Sequence, residues 1–212
     1  MGARVSDIAD ALPGRPAEDP PPRSHIDIVR GVAEGQAWAN AALYDALCPM
    51  VLRALQRIVR DPNTDYDDLV QTTFERIVRA LVDKSETSVS NLSGWAVGVA
   101  THVALDALRV RIRERRLFSH DDAAREATHS AVGPSLERQV EARRKLAWVQ
   151  EALVRMNTEQ ARTLLLHDVM GHDLAEIAAI MGVSVAAAQK RLWRARQDLL
   201  QRAKRRSPRG EP

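Results

Sequence analysis

A single cysteine, Cys48, stands among 212 residues. It excludes an internal disulfide and any zinc site built from cysteines of this chain alone. Its plain reading is a small apolar side chain in a core. Aromatic residues are also scarce, at 4%. A core must therefore be built from Leu, Val, Ile and Ala. There is no apolar run long enough to cross a bilayer, so no membrane insertion is expected. The first residues carry acids and prolines where a secretory signal needs a basic start and an apolar stretch. The expected location is the cytoplasm. Nor is there a Gly-rich phosphate loop, a nucleophile elbow or a paired-carboxylate arrangement, so neither enzymatic activity nor a cofactor is expected. His167, Asp168, His172 and Asp173 straddle a helix end with no third soft ligand nearby, and no metal is expected there.

Net charge is only +3, but it is unevenly placed. Residues 143–212 hold fourteen basic and seven acidic groups, whereas residues 117–142 hold two and five. Residues 25–116 balance twelve against twelve, yet end in the cluster Arg109, Arg111, Arg113, Arg115 and Arg116. Two basic clusters separated by an acidic stretch suggest two contacts with a polyanion. A solvated, salt-laced helix face is the plainer alternative for the first cluster.

The pattern is helical throughout. Leu43, Leu47, Val51, Leu55 and Ile58 recur every three or four residues, and Pro49 should kink or interrupt that helix. A second helix is expected from about Asp67 to Leu81, with an acidic start and an apolar face of Val70, Phe74, Ile77, Val78 and Leu81. A third runs from Gly94 to about Arg116, with Ser93 as candidate N-cap. It bears a polar stripe of His102, Asp106, Arg109, Arg113 and Arg116. The expected organisation is all-α, with two small helical domains joined by a flexible acidic linker. Residues 1–24 form a disordered Pro-rich extension, 25–116 the first domain, 117–139 the linker, 140–206 the second domain and 207–212 a disordered tail. The eighteen residues 117–134 of the linker reach at most about 60 Å, and sites two DNA turns apart lie roughly 70 Å from centre to centre. Two tethered domains of finite size could engage both.

Residues 173–196, DLAEIAAIMGVSVAAAQKRLWRAR, carry the strongest signal. Asp173 and Glu176 have capping-box spacing. Gly182 follows the last periodic residue, where a helix ends in the left-handed conformation. Ser184 can cap the next helix. That helix places Ala188, Leu192, Ala195 and Leu199 on one face and leaves Gln189, Lys190, Arg191, Trp193, Arg194 and Arg196 outside. A basic face opposite a packed apolar one is the pattern of a recognition helix in the major groove. Arginine and lysine pair with guanine edges or phosphates, and glutamine with adenine. A helical hairpin with a solvated basic face is the competing reading. Trp38, Trp95 and Trp148 read as core residues; for Trp193, core packing and base contact stay open.

At this point the chain resembles a known family. DYDDLVQTTFERIVRAL (65–81), NLSGWAVGVATHVALDALRVRIRERR (91–116) and the helix-turn-helix, in that order, are similar to an extracytoplasmic-function sigma factor of bacterial RNA polymerase. The resemblance spans about residues 26–116 as region two and 140–203 as region four. It implies a promoter-specificity subunit that binds core RNA polymerase and promoter DNA and helps open the duplex. Asp68, Leu69, Gln71, Phe74, Glu75 and Arg76 would dock on the clamp helices of the largest polymerase subunit. The loop 81–93, with Thr101, His102, Asp106, Arg109, Arg113 and Arg116, would take the minus-ten element as a single strand. Ser184, Ala187, Gln189, Lys190, Arg191, Trp193, Arg194 and Arg196 would bind the minus-thirty-five duplex, with region four also touching the polymerase flap. An anti-sigma factor is a family-level partner. The chain departs from the family at Thr101–His102, where Arg-Asn is frequent, and at Ala187–Ala188–Gln189, where Thr-Val-Lys is frequent. Two rival readings are a helix-turn-helix regulator that works without polymerase, and a sigma-like mimic that titrates an anti-sigma factor.

Overall fold

The structure, a computed structural model, describes residues 24–83, 91–122 and 134–206. All regular structure among them is helical. The expectations for residues 1–23, for residues 84–90 of the loop 81–93 and for the tail 207–212 lie outside the described residues.

The first unit is a four-helix arrangement. Helix α1 spans His25–Ala33 and starts at a capping box, in which Ser24 and Asp27 each satisfy the other's backbone N–H. Helix α2 spans Ala37–Val59 with Pro49 inside it. The chain breaks at Gly35, which has φ +70°, and Pro49 does not interrupt α2. Pro49 lies on the exposed side of α2, while Leu43, Leu47, Val51 and Leu55 on the other side are fully buried and hold the helix to its neighbours. Helix α3 spans Tyr66–Asp83, and the Asp65 carboxylate accepts from the N–H groups of Asp67 and Asp68 at its start.

Helix α4, Leu92–Asp122, is the axis of the molecule. Asn91, not Ser93, caps it: its Oδ1 accepts from Gly94 N at 2.8 Å. The helix runs past Arg116 into the segment expected to be linker, because no glycine or proline stops it before Asp122. Helix α5, Pro134–Arg155, likewise begins before residue 140, and Pro134 suits a first helical position. What is left of the linker, 123–133, lies outside the described residues.

The second unit consists of α5, α6 (Thr158–Leu164, capped by Asn157), a π-helical turn Leu165–Val169, α7 (Leu174–Met181) and α8 (Val185–Arg206). The Asp173–Glu176 capping box is present, and Gly182 closes α7 at φ +63°. Ser184 Oγ accepts from Ala187 N.

The two units do not hang apart on a tether. One apolar cluster runs from Ile28 through Leu105 and Leu108 to Leu153, Leu164 and Ala195. Val97 of α4 also packs on a smaller cluster around Leu166, Ile177 and Ile180. The buried Gln150 amide donates to the carbonyls of Ile58 and Val59, at 3.3 and 2.7 Å. Close approach is possible because Gly98 faces Ile180: a Cβ there would lie 2.6 Å from Ile180 Cγ2.

Candidate nucleic-acid and polymerase interfaces

Helix α8 divides as its sequence requires. Ala188, Leu192 and Ala195 are buried against α6 and α7. Ser184, Gln189, Lys190, Trp193, Arg194 and Arg196 are exposed, and Ala187 and Arg191 half-exposed. Trp193 is 62% exposed, which removes the core alternative for it. Two of the basic side chains are nonetheless held. Arg196 Nη2 donates to Asp168 Oδ1 at 2.6 Å, and His167 Nδ1 lies 3.2 Å away. Arg191 donates to Glu159 at 3.2 Å, beside the Glu159–Arg162 pair. Lys190 and Arg194 have no ion-pair partner among the described residues. Partial burial pushes the Asp168 carboxyl up, but hydrogen bonds from Arg196 and His167 outweigh it and hold its pKa below the usual value.

The stripe on α4 is less uniform. Thr101 is fully buried, and its hydroxyl donates to Val97 O at 2.8 Å. This corrects the expectation that it faces a DNA strand: it sits on the α4 side that meets the core. His102, Asp106 and Arg109 are half-exposed and form one network. Asp106 accepts from Arg76 and from Arg109, both at 2.9 Å, and His102 Nε2 lies 3.9 Å away. Burial pushes the His102 pKa down, and the Asp106 charge only partly offsets this. Arg109 also donates to Thr158 Oγ1 at 2.7 Å, and Arg116 to Glu151 at 2.7 Å. Both partners belong to the second unit, so α5 and α6 partly cover the stripe. Arg113 is exposed.

On α3, Asp68, Gln71, Glu75 and Arg76 are exposed, and Leu69 and Phe74 half-buried. Phe74 meets Tyr44 with ring centroids 4.8 Å apart. Beside them Val70, Val78, Val82 and Gln71 line an open groove of about 930 Å³. An apolar floor with a polar rim is the usual form of a docking surface.

Sequence reasoning found the outward residues but missed what holds them. Arg111 pairs with Asp61, Arg76 with Asp106 and Arg196 with Asp168. These three pairs span long sequence separations, whereas His102–Asp106, Asp106–Arg109 and Glu159–Arg162 stand at local i,i+3 or i,i+4 spacing. The His167 and His172 rings face Asp168 and Glu176.

Comparison with known proteins places the chain in a family. The family model described as sigma-70 region 2 matches residues 43–114, and that described as sigma-70 region 4 matches residues 146–199. The RNA polymerase sigma factor CnrH of Cupriavidus metallidurans is 31% identical over 141 residues, covering 65% of this chain and 73% of its own. NccH of Alcaligenes xylosoxydans xylosoxydans is 30% identical over 176 residues, covering 81% and 90%. The ECF RNA polymerase sigma factor SigE of Mycolicibacterium smegmatis is 26% identical over 197 residues, covering 93% and 73%. A solved structure, CnrH in complex with the cytosolic domain of CnrY, aligns over 85% of this chain and 97% of its own at 23% identity and a TM-score of 0.46. The chain belongs to the extracytoplasmic-function sigma factors, the promoter-specificity subunits of RNA polymerase.

Proposed function

We propose that the work of this subunit is divided among three faces. The outward side of α8, with Gln189, Lys190, Arg191, Trp193, Arg194 and Arg196, reads the minus-thirty-five element as duplex. His102, Asp106, Arg109, Arg113 and Arg116 on α4, with the loop after α3, take the minus-ten element as a single strand and so favour opening. Asp68, Leu69, Gln71, Phe74, Glu75 and Arg76 on α3 seat the chain on the clamp helices of core polymerase, while region four touches the flap. The chain supplies specificity and catalyses no step of its own, and it acts in the cytoplasm with the polymerase. An anti-sigma factor is the proposed regulatory partner, and the Tyr44–Phe74–Val82 groove is where an apolar helix of such a partner fits.

The observation that carries the reading is the split of α8: its apolar side is buried while Lys190 and Arg194 stand exposed. In a DNA-reading helix, exposed cations without protein partners are the ones available to phosphates and base edges. A regulator that works without polymerase has no use for the exposed Asp68, Gln71 and Glu75 of α3. Transcription in vitro with core enzyme and a library of upstream sequences tests the whole proposal; initiation at a defined promoter is the expected result. Arg194→Ala is expected to weaken duplex binding by about 1–3 kcal/mol and to leave core binding unchanged. Equal loss of both would place Arg194 in the fold instead.

A further inference from the structure

Residues 112–116 of α4 and the C-terminal end of α8 both lie against the middle of α5. There the structure forms a cleft with two lobes, of about 300 and 500 Å³, which share Trp148, Glu151 and Arg206. Arg155, Arg202 and Arg205 border the first lobe; Arg115, Arg116 and Arg144 border the second. Glu151 is the one acid that lines it, and it is already engaged. Arg116 and Arg155 each donate to its Oε1 at 2.7 Å, and the Arg116 hydrogen bond is the main reason its pKa is lowered. Asp198 holds Arg202 through two bonds of 3.0 Å. Arg115, Arg144 and Arg205 have no ion-pair partner among the described residues.

So many guanidinium groups around one spent carboxylate repel one another unless an anion sits among them. Apart from Arg116, which also belongs to the α4 stripe, these arginines lie on none of the three faces proposed above. Arg115, Arg116, Arg144, Arg202, Arg205 and Arg206 all lie outside the spans 43–114 and 146–199 that match the family models. The residues they surround, Trp148 and Glu151, lie inside the second span. Its concavity suits a small ligand, and arginine forks suit phosphoryl oxygens. Trp148 adds an aromatic face, now covered by the Arg206 guanidinium 5.6 Å from the ring centroid. A base stacked there would take the place of Arg206.

We propose that this cleft binds a linear polyphosphate, either free or carried on a nucleoside. The ligand would bridge α4 of region two to α5 and α8 of region four. Bound, it would hold the two regions together and keep Arg116 from a DNA strand. The binding claim rests on the cleft alone and stands or falls separately from the strand-binding role of α4.

The test is calorimetric titration of the full chain, at about 0.1 M salt, with inorganic tripolyphosphate, ATP and orthophosphate. Tripolyphosphate is expected to bind once per chain and at least about tenfold tighter than orthophosphate. The double variant Arg144→Ala/Arg205→Ala changes two exposed side chains, and it is expected to lose at least about tenfold of that affinity. The lysine counterpart, which keeps the charge but not the fork, should lose less, and Arg194→Ala nothing. ATP binding that exceeds tripolyphosphate, with the excess removed by Trp148→Leu, assigns the nucleoside form; equal binding assigns the free chain. Unchanged tripolyphosphate binding in the double variant sinks the proposal, as does binding no tighter than orthophosphate. Loss of non-specific duplex binding, with tripolyphosphate binding intact, would make the cleft a DNA-backbone surface and also overturn it.

Discussion

Arg196 lies on the outward side of α8, yet Asp168, itself hydrogen-bonded by His167, holds its guanidinium from the π-helical turn. Any phosphate contact by Arg196 must compete with that carboxylate. Asp168→Asn keeps the shape and removes the charge, so duplex affinity is expected to rise about two- to fivefold, with a steeper salt dependence. Unchanged affinity and slope would mean that Arg196 stays off the DNA. The same carboxylate contributes to a pH dependence. Its pKa is held down in the fold, so its stabilising contribution is present at neutral pH and lost as pH falls below about 4. The His102 pKa is also pushed down, by burial first. Folding therefore favours its neutral ring, and stability should begin to fall as pH drops through about 6.5. Thermal melts across pH 4–7 should show decline on the acid side in the wild type, smaller in His102→Gln. Thr101 teaches a different lesson. Neighbouring His102 is half-exposed, while Thr101 turns to the core and bonds Val97 O. One helical step of about 100° separates a surface residue from a packing residue.

Helices carry most of what could be read in advance. The cap at Asp173, the left-handed Gly182 and the Ser184 start are each a local side-chain or backbone requirement, and each is met. Gly182→Ala puts a Cβ on a residue with φ +63°, in open space. The cost is conformational and should be about 1 kcal/mol, read as a lower unfolding midpoint. Pro49 does not interrupt α2, for an equally physical reason. A proline costs a helix one hydrogen bond and some strain, but the buried side chains Leu43, Leu47, Val51 and Leu55 keep α2 continuous across it. Pro49→Ala should restore that bond and stabilise the chain by roughly 1–3 kcal/mol in denaturant melts. An unchanged midpoint would show that the native helix already accommodates the ring. The linker was misjudged at both ends because acidic composition argues for solvent exposure, not against a helix; α4 runs to Asp122 and α5 starts at Pro134.

The whole molecule adds a relation between the two regions that no segment contains. Arg109 reaches Thr158, Arg116 reaches Glu151, Arg57 reaches Val169 O, and Gly98 admits Ile180. Together these contacts cover part of the α4 stripe while leaving α8 exposed. On the proposed reading, a single strand can reach the whole stripe only after the regions part, whereas duplex can approach α8 in either arrangement. Gly98→Ala places a methyl carbon where Ile180 now packs, and should loosen the docking. Small-angle scattering is expected to show a larger radius of gyration, with single-stranded minus-ten affinity raised and duplex affinity unchanged. A variant as compact as the wild type would show that Ile180 repacks and that other contacts hold the regions.

By itself the sequence determined the helices, their caps, the basic face of α8 and the order of motifs that marks the family, because each depends on spacing within a few turns. It did not determine the partners of Arg76, Arg111, Arg116 and Arg196, nor the side of α4 on which Thr101 falls. Those depend on which surfaces meet across long sequence separations, and periodicity along one helix holds no record of its neighbour. The arginine clusters at residues 109–116 and 202–206 were legible as two separate charges. Only the packing of α4, α5 and α8 brought Arg115, Arg116, Arg202, Arg205 and Arg206 around one Trp148. Two basic segments thereby became one cleft.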